Sequence, residues 1–192
     1  MNASPGNAKG DLRTKVRKAL ARLSPERRAA ESAALCARLK EQALFKAASS
    51  ILFFAPLPHE VDIWPLLEAA VAAGKAAALP CFDPGNRVYK PRLIRNLPVE
   101  IVAGRFGIRE PAPLCLEMSL AKLDLALVPG VAFDLRGNRL GRGRGFYDGL
   151  LRDFPGKKIG IAFDEQMLGV IPAETTDVKM DFILTPRGLH RP

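Results

Sequence analysis

The order of apolar and polar residues divides the chain into alternating helical and extended stretches. From Asp11 to Leu23, apolar Leu12, Val16, Ala19, Leu20 and Leu23 recur at three- and four-residue intervals, the spacing of one helix face. Ser24 then offers an N-cap and Pro25 a first-turn proline. A second helix is predicted from there to about Phe45, through residues rich in Ala, Leu, Glu and Arg. Ser50–Ala55 is a short apolar run closed by Pro56 and Pro58, the pattern of a buried strand. Asp62–Ala73 returns to helical character, and Gly74 supplies a left-handed C-cap. Ala76–Phe82 predicts a strand, residues 83–86 a turn and Val88–Ile94 its hairpin partner. Leu123–Val128, Lys158–Phe163 and Phe182–Thr185 predict further strands, and Gly145–Phe154 a short helix. Residues 1–8 are expected to be disordered. The proline-rich stretch 95–120 carries no clear period.

Strands that alternate with helices place the chain in the α/β class, as a three-layer sandwich with a mainly parallel sheet and helices on both faces. A length of 192 residues suits one domain, expected over residues 9–192, and no internal repeat is evident. In such sheets, ligands sit beyond the C-terminal ends of the strands. Two segments follow strands in that way: residues 56–62, and the stretch from Pro129 to Asp148.

The second stretch carries the most chemistry. Glycines at 137, 141, 143 and 145 interleave with Arg136, Arg139, Arg142 and Arg144, and the run closes on Phe146, Tyr147 and Asp148. Glycine lets the main chain turn through positive φ and approach a ligand. Successive main-chain N–H groups form an anion nest, and arginine adds bidentate donors for phosphate. An aspartate at the end suits a hard divalent cation. The pattern reads as a nucleotide-phosphate site with a metal ligand. Two common phosphate loops do not fit. After Gly141 and Gly143 a dinucleotide fingerprint would need glycine where Phe146 stands, and no Gly-Lys-Ser/Thr run exists.

Charge agrees with an anionic ligand: the net charge is +9. Nucleic acid is a weaker fit, because aromatics make up only 7% and no five consecutive Lys or Arg occur. Cys36, Cys81 and Cys115 are widely spaced and are expected to be buried apolar residues rather than a disulfide framework. His59 and His190 lack metal-ligand spacing and are expected to be structural or exposed, with His59 the nearer to substrate. No apolar run approaches the ~18 residues of a membrane span, and Met1–Gly10 lacks the apolar core of a signal peptide. A soluble, cytoplasmic monomer is expected, with no membrane or nucleic-acid partner.

Residues 129–134 (Pro-Gly-Val-Ala-Phe-Asp) and 139–148 (Arg-Leu-Gly-Arg-Gly-Arg-Gly-Phe-Tyr-Asp) resemble the signature of the 5-formyltetrahydrofolate cyclo-ligase family, also called 5,10-methenyltetrahydrofolate synthetases. The resemblance continues in order through Lys9 and Arg13, Pro58-His-Glu-Val-Asp-Ile-Trp-Pro65, Gly107-Ile-Arg-Glu-Pro111, Gly160-Ile-Ala-Phe163 with Gln166, Pro172-x-Glu174 with Asp177, and Thr185-Pro186. Departures are Gly149 where the family often has a basic residue, Thr176 where a histidine often stands, and Phe54 for a frequent tyrosine.

The resemblance implies an ATP- and Mg2+-dependent enzyme that converts 5-formyltetrahydrofolate, with or without a polyglutamate tail, to 5,10-methenyltetrahydrofolate with release of ADP and phosphate. It implies that Lys9, Arg13, Arg139, Leu140, Gly141, Arg142, Gly143, Arg144, Gly145, Phe146 and Tyr147 bind ATP. Ala55, Glu60 and Trp64 would join Arg142, Gly143, Arg144, Gly145 and Phe146 around the folate. Arg144, Arg142 and Tyr147 would serve catalysis, and Asp148 and Asp177 the metal. Glu60 is assigned the pterin's N–H groups and no phosphate contact. A paralogue acting on another substrate, as in thiamine salvage, and a basic RNA-binding module are the alternatives.

Overall fold

The computed structural model describes residues 5–104 and 108–192. Helix α1 (Pro5–Leu20) begins well before Asp11 and takes in part of the stretch expected to be disordered; residues 1–4 lie outside the described residues. Ser24 caps α2 (Pro25–Glu41) as its sequence predicts, its Oγ accepting from the Arg27 N–H at 3.2 Å. That helix stops at Gln42, and Phe45 belongs to a separate turn, α3 (Ala43–Ala47). The chain continues through β1 (Ser50–Leu52), α4 (Trp64–Ala72), β2 (Ala76–Asp83) and β3 (Val88–Ile94). The proline-rich stretch forms α5 (Leu97–Glu100) and a small antiparallel pair, β4 (Ile101–Ala103) and β5 (Arg109–Pro111). Then come β6 (Leu125–Pro129), β7 (Ala132–Asp134), β8 (Arg139–Leu140), α6 (Phe146–Leu151), β9 (Lys157–Ile161), β10 (Met167–Leu168), β11 (Phe182–Thr185) and β12 (Gly188–His190).

Seven strands make the central sheet in the order β12-β11-β9-β6-β1-β2-β3. Its interior pairings, β11 with β9, β9 with β6, β6 with β1 and β1 with β2, are parallel. The edge strands β12 and β3 are antiparallel. Side chains alternate across the sheet, as the two-residue period of a strand requires. Ile51, Leu79, Leu127 and Ile159 enter one core with Val16 and Leu20 of α1, Leu35 and Leu39 of α2, and Leu66 and Leu67 of α4. Leu52, Ala78, Ala126 and Val128 enter the other with Leu150 and Leu151 of α6. The three-layer α/β reading is borne out.

Several boundaries differ from the pattern. The β1 ladder ends at Leu52, although Phe53 still donates to Ala78 O at 2.8 Å and Phe53 and Phe54 are buried. Helix α4 starts at Trp64 because the Asp62 Oδ1 accepts from the Trp64 N–H at 3.0 Å, which makes Asp62 a start signal ahead of the helix. Helix α6 ends at Leu151, short of Phe154. The small sheet β10-β7-β8 was not anticipated. Its hub is Asp134, fully buried, whose carboxylate accepts from the Arg136, Asn138 and Ile171 N–H groups and from the Asn138 amide. Burial alone would raise the Asp134 pKa; these donors outweigh it and hold the carboxyl below its ordinary value. Cys36 and Cys115 are buried as expected, whereas Cys81 is only half-buried; all three are free thiols. No described helix is long and apolar enough to cross a membrane.

Candidate active site

The loops that follow β1, β6 and β9 meet beyond the C-terminal edge of the sheet, where the parallel topology directs them. The glycine-rich loop runs from β8 into α6. Gly143 and Gly145 take φ of 97° and 66°, in the left-handed region that favours glycine. Gly145 directly precedes α6, whose first residues Phe146 and Tyr147 pack on the β2–β3 hairpin. The Phe146 ring lies 5.3 Å from that of Phe82 and 5.5 Å from that of Tyr89. This aromatic cluster fixes the end of the loop against the sheet.

Its base is closed by an ion pair. The Arg139 Nη2 donates to the Asp148 Oδ2 at 2.8 Å, with the two side chains 4% and 19% exposed. The Arg139 guanidinium also stacks 5.7 Å from the Tyr147 ring, and its Nε has no hydrogen-bond partner among the described residues. Helix α1 grips the same loop from the other side. The Arg13 Nε donates to the Gly141 carbonyl at 2.8 Å. Lys9 Nζ reaches Glu174 at 2.9 Å and Asp177 at 3.0 Å. Burial would lower the Lys9 pKa, but these two carboxylates outweigh it and raise it. Arg13, distant in sequence, is therefore brought to the loop, and Lys9 to the Glu174–Asp177 segment. Glu174 joins them; it stood inside the matched Pro172–Asp177 stretch without an assigned role.

Glu60 is not independent of the glycine-rich loop. The Arg142 Nη2 donates to the Glu60 Oε1 at 2.7 Å and lies 3.3 Å from the His59 ring nitrogen, while the Glu60 Oε2 accepts from the Leu57 N–H at 3.0 Å. Both carboxylate oxygens have donors, and the two proposed binding regions share an ion pair. Burial lowers the His59 pKa, and nearby arginines add to this against the Glu60 charge, which raises it. Burial pushes the Tyr147 phenol pKa well up, with the Glu60 charge adding to it. The phenol is thus a proton-bearing donor at physiological pH. Arg144 is exposed and makes no side-chain hydrogen bond among the described residues, which leaves its guanidinium open to a ligand.

The loop itself is an open shelf. Beside it is an open hollow of about 560 Å³, lined by Pro56, Glu60, Asp62, Trp64 and Arg109 among others, so Glu60 stands between shelf and hollow. Ala55, half-buried, leads into this wall. Gly107 of the matched Gly107–Pro111 stretch lies outside the described residues.

The segment that carries Asp177 reaches Asp148: the Val178 N–H points at the Asp148 Oδ1 at 3.4 Å. Asp177 is held below its ordinary pKa by the Glu174 N–H, Lys9 and Arg139, which outweigh its burial. Among the described residues no three metal-ligating side chains cluster. A cation carried by nucleotide phosphates needs only one or two protein carboxylates. The longer contact on Asp148 Oδ1 leaves that oxygen weakly engaged.

Comparison with known proteins accords with this geometry. The model of the 5-formyltetrahydrofolate cyclo-ligase family matches residues 5–186. The chain belongs to that family. A probable 5-formyltetrahydrofolate cyclo-ligase of Caenorhabditis elegans is 31% identical, over 92% of this chain and 91% of its own length. The 5-formyltetrahydrofolate cyclo-ligase of Escherichia coli K12 is 34% identical, over 72% of this chain and 79% of its own length. The solution structure of Aquifex aeolicus 5,10-methenyltetrahydrofolate synthetase superposes with a TM-score of 0.86 at 32% identity, covering 95% of this chain and 92% of that one. Family membership makes this chain a ligase and disfavours the RNA-binding alternative.

The buried pair gives a stability prediction. Asp148→Asn keeps the shape but leaves Arg139 without its counter-charge. Unfolding free energy should fall by about 2–4 kcal/mol, the range for breaking a mostly buried pair with some solvent access. Calorimetry should show a midpoint lowered by roughly 4–16 °C, at about 2–4 °C per kcal/mol for a chain of this size. An unchanged midpoint would show that the pair does not anchor the loop.

Proposed function

We propose that the chain couples ATP cleavage to closure of 5-formyltetrahydrofolate into 5,10-methenyltetrahydrofolate. The observation that carries this reading is the 2.7 Å contact between Arg142 of the glycine-rich loop and Glu60 of the neighbouring hollow. A reaction that joins a nucleotide phosphate to a pterin-bound formyl group needs its two binding regions in contact, and these residues bring them together.

In the proposed sequence, ATP lies along the loop with Lys9, Arg13, Arg139, Arg142 and Arg144 near its phosphates. The formyl oxygen attacks the terminal phosphorus as the N5 lone pair moves towards carbon, and ADP departs. N10 then attacks the same carbon, loses its proton, and phosphate leaves with the C–O electrons. The methenyl bridge remains between N5 and N10. The first step turns an amide oxygen, a poor leaving group, into a phosphate ester. The transfer depends mainly on in-line positioning and on neutralising charge at the moving phosphoryl group. Arg144, with no side-chain partner among the described residues, is suited to follow that charge as it develops, and the loop N–H groups add to it. Tyr147, protonated, offers a further donor. Glu60 accepts from the pterin's N–H groups when Arg142 turns to phosphate, and Trp64 and Ala55 border that ring. Asp148 and Asp177 would hold magnesium. When bound, the ion would offset the negative charge of the nucleotide phosphates.

The reading is tested by absorbance of the methenyl product, with 5-formyltetrahydrofolate, ATP and magnesium supplied. Arg144→Ala should lower turnover by ~10²-fold or more, the scale for losing one transition-state donor, with little change in melting temperature. Unchanged specific activity in the folded variant would reject its catalytic role. Glu60→Gln exchanges one acceptor for a donor facing the pterin's donors. It should raise the folate KM by roughly 10- to 100-fold, the worth of a charged hydrogen bond. The remaining amide oxygen still accepts from Arg142, so the ATP KM should move much less. An equal rise in both would remove Glu60 from the pterin pocket.

A further inference from the structure

His59 stands in the site without a role in the proposed reaction. The Arg142 Nη2 donates to the Glu60 Oε1 at 2.7 Å, and the His59 Nε2 lies 3.3 Å from the same nitrogen. A guanidinium has donors only. The second contact is therefore a hydrogen bond only while the His59 Nε2 keeps its lone pair, in the neutral ring with its proton on Nδ1. A proton on Nε2 turns that acceptor into a donor and sets two cations against each other. Arg142 faces the ring from the glycine-rich loop, Arg17 from α1 and Arg28 from α2, with Glu60 beside it as the opposing charge. The ring is exposed, so solvent protons reach it. What burial it has lowers its pKa, and the three arginines add to this against Glu60. A ring whose pKa lies below the ordinary value of about 6.5 is mainly neutral at about pH 7.5.

Arg142 must leave Glu60 before it can meet a phosphate. We propose, on the reading that the glycine-rich loop takes nucleotide phosphates, that His59 is the positioning residue for this swing: its neutral ring holds Arg142 on Glu60, and its protonation releases Arg142 towards the phosphates. Once Arg142 has left, one cation is gone from beside the ring and Glu60 has lost its partner. Both changes favour charge on the imidazole. Nucleotide binding therefore draws a proton from solvent onto His59, and by reciprocity a lower pH strengthens nucleotide binding. The sign follows from the two states. The ring takes its proton at a higher pH with nucleotide bound than without it, so affinity rises as pH falls through the bound-state value and levels off below the free-state value.

The test is calorimetric titration of the full chain with magnesium-ATP at about pH 7.5 and about pH 5.5, beside His59→Gln, which keeps an acceptor but does not titrate. Protonation of ATP itself is common to both proteins and cancels in the comparison. From the higher pH to the lower, the wild-type Kd should fall roughly threefold or more relative to that of His59→Gln, the scale of one exposed hydrogen bond to a charged group. In an Arg142→Met background, His59→Gln should no longer alter the pH response, because the ring acts through Arg142. An equal pH response in wild type and His59→Gln, or a His59 effect that survives Arg142→Met, overturns the proposal. No binding of magnesium-ATP at either pH would instead reject the nucleotide reading. The hold on Arg142 is then judged without ligand, from the ring-nitrogen resonances of His59, which the His59→Gln variant tells apart from those of His190, the other of the chain's two histidines. An Nδ1–H tautomer in wild type that Arg142→Met abolishes supports the hold. An Nε2–H ring in wild type overturns it.

Discussion

The ion pair between Arg139 and Asp148 is the contact on which the site's shape depends. It joins the last strand before the glycine-rich loop to the first turn of the helix after it, so the intervening residues must bulge as a closed loop. Neighbouring features are fitted to it. A side chain at Gly130 would press on the Arg139 Cγ at 3.2 Å and on the Phe133 ring at 2.6 Å, so the turn after β6 has room only for glycine. Tyr147 lies against the guanidinium, and the Val178 N–H approaches Asp148. A buried ion pair adds little net stability against well-packed apolar residues, because desolvation offsets most of its attraction. Its value here is positional: it sets where the loop's N–H groups and the Arg142 and Arg144 side chains stand.

Around that clasp, the cations and anions of the site satisfy one another. Lys9 is held by Glu174 and Asp177, Arg142 by Glu60, and Arg139 by Asp148. The Lys9 and Arg142 pairs join segments far apart in sequence, and the Arg139 pair closes the loop on itself, so the site is held in shape before any ligand arrives. Arg144 is the exception, with no partner among the described residues. A bound polyanion would draw on cations already in place, and release of Glu60 from Arg142 would expose an acceptor to a donor-rich ring. The protein's net charge of +9 favours the approach of such an anion.

Much of this was legible in the chain. Buried strands and amphipathic helices announced the α/β sandwich because parallel strands, covered on both faces, read as continuous apolar runs. Ser24 and Gly74 marked element ends through local backbone chemistry, which sequence displays directly. The glycine–arginine alternation displayed a loop of positive-φ glycines in the same way. Pairings across distance were not legible. Nothing local tells that Arg142 meets Glu60, or that Asp148 faces Arg139; both follow from where the sheet sends its loops. The β10-β7-β8 sheet was hidden because its strands are two or three residues long and are ordered by the buried carboxylate of Asp134 rather than by apolar period. Arg109 stood in a matched motif without an assigned role, and its place over Trp64, beside the hollow that holds Glu60, follows only from the fold.

The central claim is that the shelf and the hollow together transfer phosphate to a formyl oxygen. Its most direct test is the fate of that oxygen. With 5-formyltetrahydrofolate labelled with heavy oxygen in the formyl group, turnover by this chain in unlabelled water should place the label in inorganic phosphate, one atom for each methenyl product formed. Methenyl product accompanied by unlabelled phosphate would contradict the account.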